Sequence, residues 1–210
     1  MTELTLGIVN QCIHDLSSVH GTTVVDQDDP RVLMFTHLLK AGGLIVPEPF
    51  RMSLDLVQRA LEGVSVTFWL PGVGKVVYLA RNASAAPYER LALWGHELTH
   101  VTQIEEAGIG QAVADYLGSG FLRVQKESNA CGAQEWVKKT FGGKVPDPGE
   151  VDRKLAGSLY HLDPEQLALG AQITLSHMDS IHAGELPPIR AAMEIRDWFR
   201  VHYPEFLPAP

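Results

Sequence analysis

The stretch that most constrains this chain is Trp94-Gly95-His96-Glu97-Leu98-Thr99-His100-Val101-Thr102-Gln103. It lies inside a helical pattern that opens at Ala86-Pro87, where proline is tolerated in the first turn, and closes near Ala107 before Gly108 and Gly110. Two histidines four residues apart sit one turn apart on the same helical face, so both imidazoles can reach one ion. His100, Leu93 and Gln103 share the side of His96, while Leu91, Trp94, Leu98 and Val101 form an apolar stripe roughly opposite. The helix thus has one face for a core and one for a cleft. Glu97 points about 100° round the helix from His96, beside a metal rather than on it. A random chain of this composition would show His-Glu-x-x-His roughly once in forty sequences, and the two-faced helical context lowers that chance. Imidazole nitrogens suit Zn²⁺, which takes about four ligands and keeps one position open in catalytic sites. Glu97 is then placed to take a proton from the bound water. Two core or surface histidines on an amphipathic helix are the plainer alternative, and a zinc site is the better expectation.

At these residues the chain resembles the zincin metallopeptidases. The longer form His96-Glu97-Leu98-Thr99-His100-Val101-x-Gln103 is similar to small bacterial zincin domains of the gluzincin type. The resemblance covers this helix closely and the next helix loosely. It implies hydrolysis of a peptide bond by metal-activated water, with a peptide or protein as substrate. Two other classes share the motif: a non-enzymatic zincin-fold binding module with a structural metal site, and a zinc amidase acting on a non-peptide substrate. An intact Glu97 argues against a purely structural site, which has no use for a base.

Two histidines alone bind Zn²⁺ weakly, so a third protein ligand is expected. The extended metzincin signature places a histidine six residues beyond the second; Glu106 stands there, which excludes that class. The resemblance to gluzincins points instead to a glutamate on a following helix, either Glu127 or Glu135. Glu135 has Lys138 and Lys139 at i+3 and i+4, the pattern of a solvated helix face with ordinary ion pairs. Glu127 is flanked at helical spacing by Val124, Ala130, Cys131 and Gln134, a small and mostly uncharged side, although Arg123 at i−4 offers a partner. A buried carboxylate needs a cation or metal to offset its desolvation. Glu127-Ser128-Asn129-Ala130 is also similar to the Glu-x-x-Ala around the third ligand of related small zincins. Glu127 is therefore the expected ligand, with Asp115 and a later histidine as the remaining candidates. The larger gluzincins often carry an Asp four residues after this glutamate to orient a histidine; Cys131 stands here, so that support must come from elsewhere. Tyr160 or His161 is the expected stabiliser of the oxyanion, with His177, His182 and Tyr116 as further possible donors. For each of these, plain packing or surface exposure is the simpler reading. The remaining histidines, His14, His20, His37 and His202, are read as solvent or core residues.

The rest of the chain indicates an α+β class, mainly helical, with a small antiparallel sheet or hairpin before the metal helix. A helix is expected over Thr5–Leu16, followed by a strand or loop at His20–Val25 and a turn at Asp26–Pro30. Helices are expected over Val32–Lys40 and from a cap at Ser53 to Gly63. The period then changes: Val64–Leu70 and Lys75–Ala80, around Pro71-Gly72-Val73-Gly74, read as a β-hairpin. The zincin resemblance implies that the second of these strands lines the cleft and receives substrate. Gly95 costs about 1 kcal/mol against alanine inside a helix; close approach of that strand would explain it, and a glycine that is simply tolerated is the alternative. Short and long helices follow over Gln111–Leu117 and Phe121–Phe141. The loop signals at residues 142–149 divide a zincin-like catalytic region, 1–145, from a helical region, 146–210, packed on the same domain. Its helices are expected near 150–159, 164–177 and 188–202.

Composition sets the outer limits. A chain of 210 residues, 45% hydrophobic and 20% charged, has the makings of a sizeable core. A net charge of −8 without a clustered basic stripe argues against nucleic-acid and anionic-membrane partners. Cys12 and Cys131 form no C-x-x-C pair and read as two buried thiols. The start, Met-Thr-Glu-Leu-Thr-Leu-Gly, has neither the basic residues nor the apolar run of a signal peptide, and a cytoplasmic location is the expectation. Oligomeric state leaves no mark in the sequence.

Overall fold

A computed structural model describes residues 3–26, 65–70, 74–80, 86–144, 147–156 and 162–208. The helices expected over Val32–Lys40 and after Ser53, and the residues Tyr160 and His161, lie outside them. The described elements run α1 (Leu6–Val19), β1 (Thr22–Asp26), β2 (Val66–Leu70), β3 (Gly74–Leu79), α2 (Pro87–Ala107), α3 (Ile109–Gly118), α4 (Gly120–Gly142), α5 (Pro148–Leu155), α6 (Pro164–His182) and α7 (Arg190–His202), with a short 3₁₀ turn at Pro204–Phe206. The fold is α+β and mainly helical, and the strands among the described residues form a small three-stranded mixed sheet.

Local chemistry explains the helix boundaries. The Thr5 hydroxyl accepts from the Ile8 N–H and caps α1. Ala86 is extended, Pro87 opens α2, and Glu89 complements the dipole in the first turn. Gly108 ends α2 at φ 76°, a conformation that favours glycine. Asp163 and Gln166 form a reciprocal capping box at the start of α6.

The hairpin is present: β2 pairs antiparallel with β3, placing Thr67 opposite Val77. In addition β1 pairs parallel with β3, Val24 opposite Val77, so the strand order is β1-β3-β2. This corrects the expected role of Lys75–Ala80. β3 is the central strand, its backbone hydrogen-bonding groups are engaged by neighbours on both sides, and it offers no edge to a substrate strand. Among the described residues the antiparallel edge strand is β2.

The sheet's Val77 and Leu79, α1's Val9 and Leu16, and α2's Leu91, Trp94 and Leu98 share one core with Ile195 and Phe199 of α7. α2 and α4 run antiparallel: Gly95 faces Ala133 and Val137, and Gln103 reaches Lys126. The reason for Gly95 differs from the expected one. A methyl group there would stand 3.4 Å from both Ile195 Cδ1 and Val137 Cγ2, so the neighbours are helices α7 and α4 rather than a strand. α4 and α6 pack more tightly still, since a Cβ on Gly132 would lie 2.8 Å from His177 Cδ2 and from Ile189 Cδ1. Cys12 and Cys131 are both buried and free. Among the described residues no helix is long and apolar enough to cross a membrane.

Candidate metal centre

His96 and His100 project from one face of α2, their ring centroids 5.0 Å apart. Antiparallel packing of α4 brings Glu127 across from them. The three donors converge: His96 Nε2 stands 3.3 Å from His100 Nε2, Glu127 Oε2 is 3.5 Å from His96 Nε2, and Glu127 Oε1 is 3.5 Å from His100 Nε2. Zn–N and Zn–O bonds of about 2.0–2.1 Å in a tetrahedron imply donor–donor edges of about 3.3–3.4 Å. Each histidine nitrogen stands 3.5 Å from a different Glu127 oxygen, and one donor atom from each of the three residues lies within 4.8 Å of the others, so the residues present fit a metal ion.

The unfilled capacity of these atoms points the same way. Glu127 is 2% exposed, and its Oε2 has no hydrogen-bond partner among the described residues. Such an acceptor is costly to bury unless a cation completes it. His96 Nδ1 also has no hydrogen-bond partner among the described residues. Burial disfavours the charged forms of both histidines, but Cys131 and Glu127 beside His96, and Glu127 beside His100, outweigh it and raise both pKa values. Burial also pushes against ionisation of Glu127, yet His100 and His96 hold its carboxyl well below the usual range. The two histidines and the carboxylate thus favour one another's charged forms.

Glu97, also 2% exposed, lies beside this triangle rather than in it. Its Oε2 accepts a 2.7 Å hydrogen bond from the Thr67 hydroxyl, which also donates to the Glu97 carbonyl at 3.1 Å. Edge strand β2 is thereby tied to the turn of α2 that carries the histidines. Burial raises the Glu97 pKa, opposed by His96 and His100 and by the Thr67 bond.

Two further side chains brace the donors. Gln103 Oε1 faces His100 Nδ1 at 3.1 Å, and Gln103 Nε2 donates to the Lys126 carbonyl at 3.2 Å. This assigns the proton of a neutral His100 to Nδ1 and leaves Nε2, which faces His96 and Glu127, as the acceptor. The Tyr116 hydroxyl donates to Glu127 Oε1 at 2.8 Å. Its phenol pKa is raised well above the usual value, by burial first and then by Glu127, so it remains a donor.

The expected residues are thus distributed as follows. His96, His100 and Glu127 come together, with Glu97 adjacent. Asp115 turns away to Lys126, 3.4 Å, and Gln111, 2.5 Å. His177 Nε2 meets Asn129 Oδ1 at 2.9 Å, and burial lowers its pKa. Tyr116, expected among possible oxyanion donors, donates its hydroxyl to the Glu127 carboxylate. Tyr160 and His161 lie outside the described residues. Glu135 requires a correction: it is paired with Lys138 at 2.5 Å, but it is only 3% exposed rather than on a solvated face. α4 is buried continuously from Ala130 to Val137, with α2, α5, α6 and α7 around it, so this stretch has no solvated side.

Residue spacing missed Thr67, whose partner is thirty positions away, and Tyr116, whose role depends on the turn between α3 and α4. Gln103 was visible at i+3 from His100, on the metal face. Comparison with protein-family models, with curated proteins and with solved structures returns no match for this chain.

Proposed function

We propose that the protein is a zinc-dependent metallopeptidase, similar to the gluzincin type of zincin, with His96, His100 and Glu127 as metal ligands. The observation that carries this reading is the convergence of two histidine Nε2 atoms, 3.3 Å apart, on the buried carboxylate of Glu127, whose Oε2 has no hydrogen-bond partner among the described residues. A zinc ion held there would supply a Lewis acid that acidifies a bound water and polarises a carbonyl.

The chain's own groups would do the rest. Thr67 occupies Oε2 of Glu97 and leaves Oε1 as the oxygen that takes a proton as general base and returns it to the leaving amine. Burial of Glu97 raises its basicity toward neutral pH. His100, with Gln103 on its Nδ1, keeps Nε2 directed at the site. Edge strand β2, bonded to the catalytic turn through Thr67, is the element beside which an extended peptide would add by backbone hydrogen bonding. A base held this deliberately favours a catalytic over a purely structural metal site.

The test is metal content and hydrolysis measured together on the wild type and on Glu97→Gln. The wild type should carry close to one zinc per chain and cleave members of a fluorogenic peptide library. Glu97→Gln should retain the zinc and lose about 10²–10⁴-fold in rate, the usual contribution of a general base. Full activity in that variant, or a wild type that takes up no zinc, would overturn the reading.

A further inference from the structure

We propose that Tyr116 is a positioning residue that makes Glu127 present a single oxygen, Oε2, to the metal. The inference rests on the metal reading above and extends it to how the third ligand is held. Left alone, the Glu127 carboxylate has no reason to choose, since Oε1 lies 3.5 Å from one histidine Nε2 and Oε2 lies 3.5 Å from the other. The phenol breaks this symmetry. Its O–H is on Oε1 at 2.8 Å, while Oε2 is buried and accepts no hydrogen bond among the described residues. An oxygen already accepting a hydrogen bond is the poorer metal donor, and the bare one is the better.

The phenol is itself held in place. Arg123 Nε donates to the Tyr116 carbonyl at 2.8 Å, and the guanidinium carbon stands 5.6 Å from the centroid of the Tyr116 ring. The fold supplies the means: α3 is a ten-residue helix that ends at Gly118, and Ser119 caps α4 through the Leu122 N–H. Gln111, Val113 and Ala114 of α3 face solvent, whereas Tyr116 turns inward behind the ligand. One-oxygen coordination matters because three protein donors leave the fourth position open, and a chelating carboxylate would crowd it.

The experiment compares wild type, Tyr116→Phe and Glu127→Gln, each loaded with Zn²⁺ for affinity and with Co²⁺ for its visible spectrum. Tyr116→Phe should weaken zinc binding about 10–100-fold, as loss of an outer partner does. Its cobalt band should also lose intensity, as expected when the carboxylate becomes free to chelate through both oxygens. A purely structural role for the hydroxyl would leave the cobalt spectrum unchanged. Affinity and spectrum both within twofold of wild type, while Glu127→Gln loses the metal, would overturn the role of Tyr116 and leave the zinc site standing. A wild type that binds neither ion would remove the metal reading and this inference with it. Should Tyr116→Phe fail to fold, 3-fluorotyrosine placed at position 116 gives a second readout. Its ¹⁹F resonance should move on adding zinc, and a resonance that stays in place would overturn the proposal.

Discussion

Two clusters of histidine and glutamate are attached to α2, and they differ in one respect. In the first, His96, His100 and Glu127 direct nitrogen and oxygen atoms at one another, and Glu127 Oε2 has no hydrogen-bond partner among the described residues. In the second, five residues past His100 on the same helix, Glu105 joins His20 and Glu194 with every ring nitrogen engaged. His20 Nδ1 lies 3.0 Å from both oxygens of Glu105, and Nε2 lies 2.7 Å from Glu194 Oε2. Lys75 and Arg190 complete the charge balance around the two carboxylates. Both ring nitrogens of His20 face carboxylates, so both must carry a proton, and the cluster closes on itself as an imidazolium between two anions. The residue types are the same, but one set leaves a buried carboxylate oxygen without a hydrogen bond among the described residues, and the other engages both ring nitrogens of its histidine. Unfilled donor and acceptor capacity therefore separates a candidate binding site from a structural tie more sharply than residue identity does.

The largest expected effect comes from removing a carboxylate from each cluster in turn. Glu127→Ala should lose zinc to a mild chelator, with affinity falling by well over the ~100-fold typical of outer-shell changes. Its thermal stability in the presence of zinc should fall too, because an ion that binds only the native state stabilises it. Glu194→Ala should leave zinc content unchanged and lower stability alone. Glu135→Ala is a second control for zinc content, since Lys138 already pairs with that carboxylate. Reversed behaviour between Glu127 and Glu135, read by metal analysis, would move the ligand assignment.

Next in size is the brace on His100. Gln103→Leu removes both the contact to Nδ1 and the link to the Lys126 carbonyl without altering a metal donor. Zinc affinity should fall about 10-fold, toward the lower end of the range for such partners, because the imidazole still packs on the same helix face. Isothermal titration with Zn²⁺ under a competing chelator measures it. An unchanged affinity would mean that α2 alone orients the ring.

What could be read from sequence follows the range of the interactions involved. The span Pro87–Ala107, its two faces and the His96–His100 pair are local, so 3.6-residue periodicity carries them. The inward placement of Glu127 was legible because its helical neighbours are small and uncharged, and the residue is buried. The same reasoning failed at Glu135: nearby lysines signal solvent only when nothing else covers the helix, and α5, with Glu150 3.7 Å from Lys138, lies over this one. The hairpin was legible, but the place of β3 in the sheet depends on β1, fifty residues earlier, pairing in parallel. Thr67 and Tyr116 acquire their roles only through such tertiary placement. The His20 cluster joins residues 20, 105 and 194, a separation at which spacing carries no information.

The smallest effect is the pH dependence of the closed cluster. Glu194 raises the His20 pKa above its ordinary 6.5, with Glu105 adding to it and burial opposing. Its contribution to stability is fully present below the unfolded value near 6.5 and is lost as pH rises through the higher folded value. Glu105 and Glu194 are lowered from 4.5: burial opposes this, but Lys75 and His20 outweigh it for Glu105, and His20 and Arg190 for Glu194. Their contribution is present above about 4.5 and is lost as pH falls through their folded values. The cluster should therefore stabilise most between about pH 4.5 and 6.5 and weaken toward alkaline pH. Because the metal site also titrates, the useful quantity is a difference: the unfolding free energy of wild type minus that of His20→Gln, both stripped of metal, from pH 5 to pH 9. With the two carboxylates about a quarter exposed, the difference at pH 6 should be about 1–3 kcal/mol. It should shrink steadily as His20 loses its second proton. A difference that stayed flat, or grew toward pH 9, would show that His20 is held neutral, and the two clusters would then differ in geometry but not in charge.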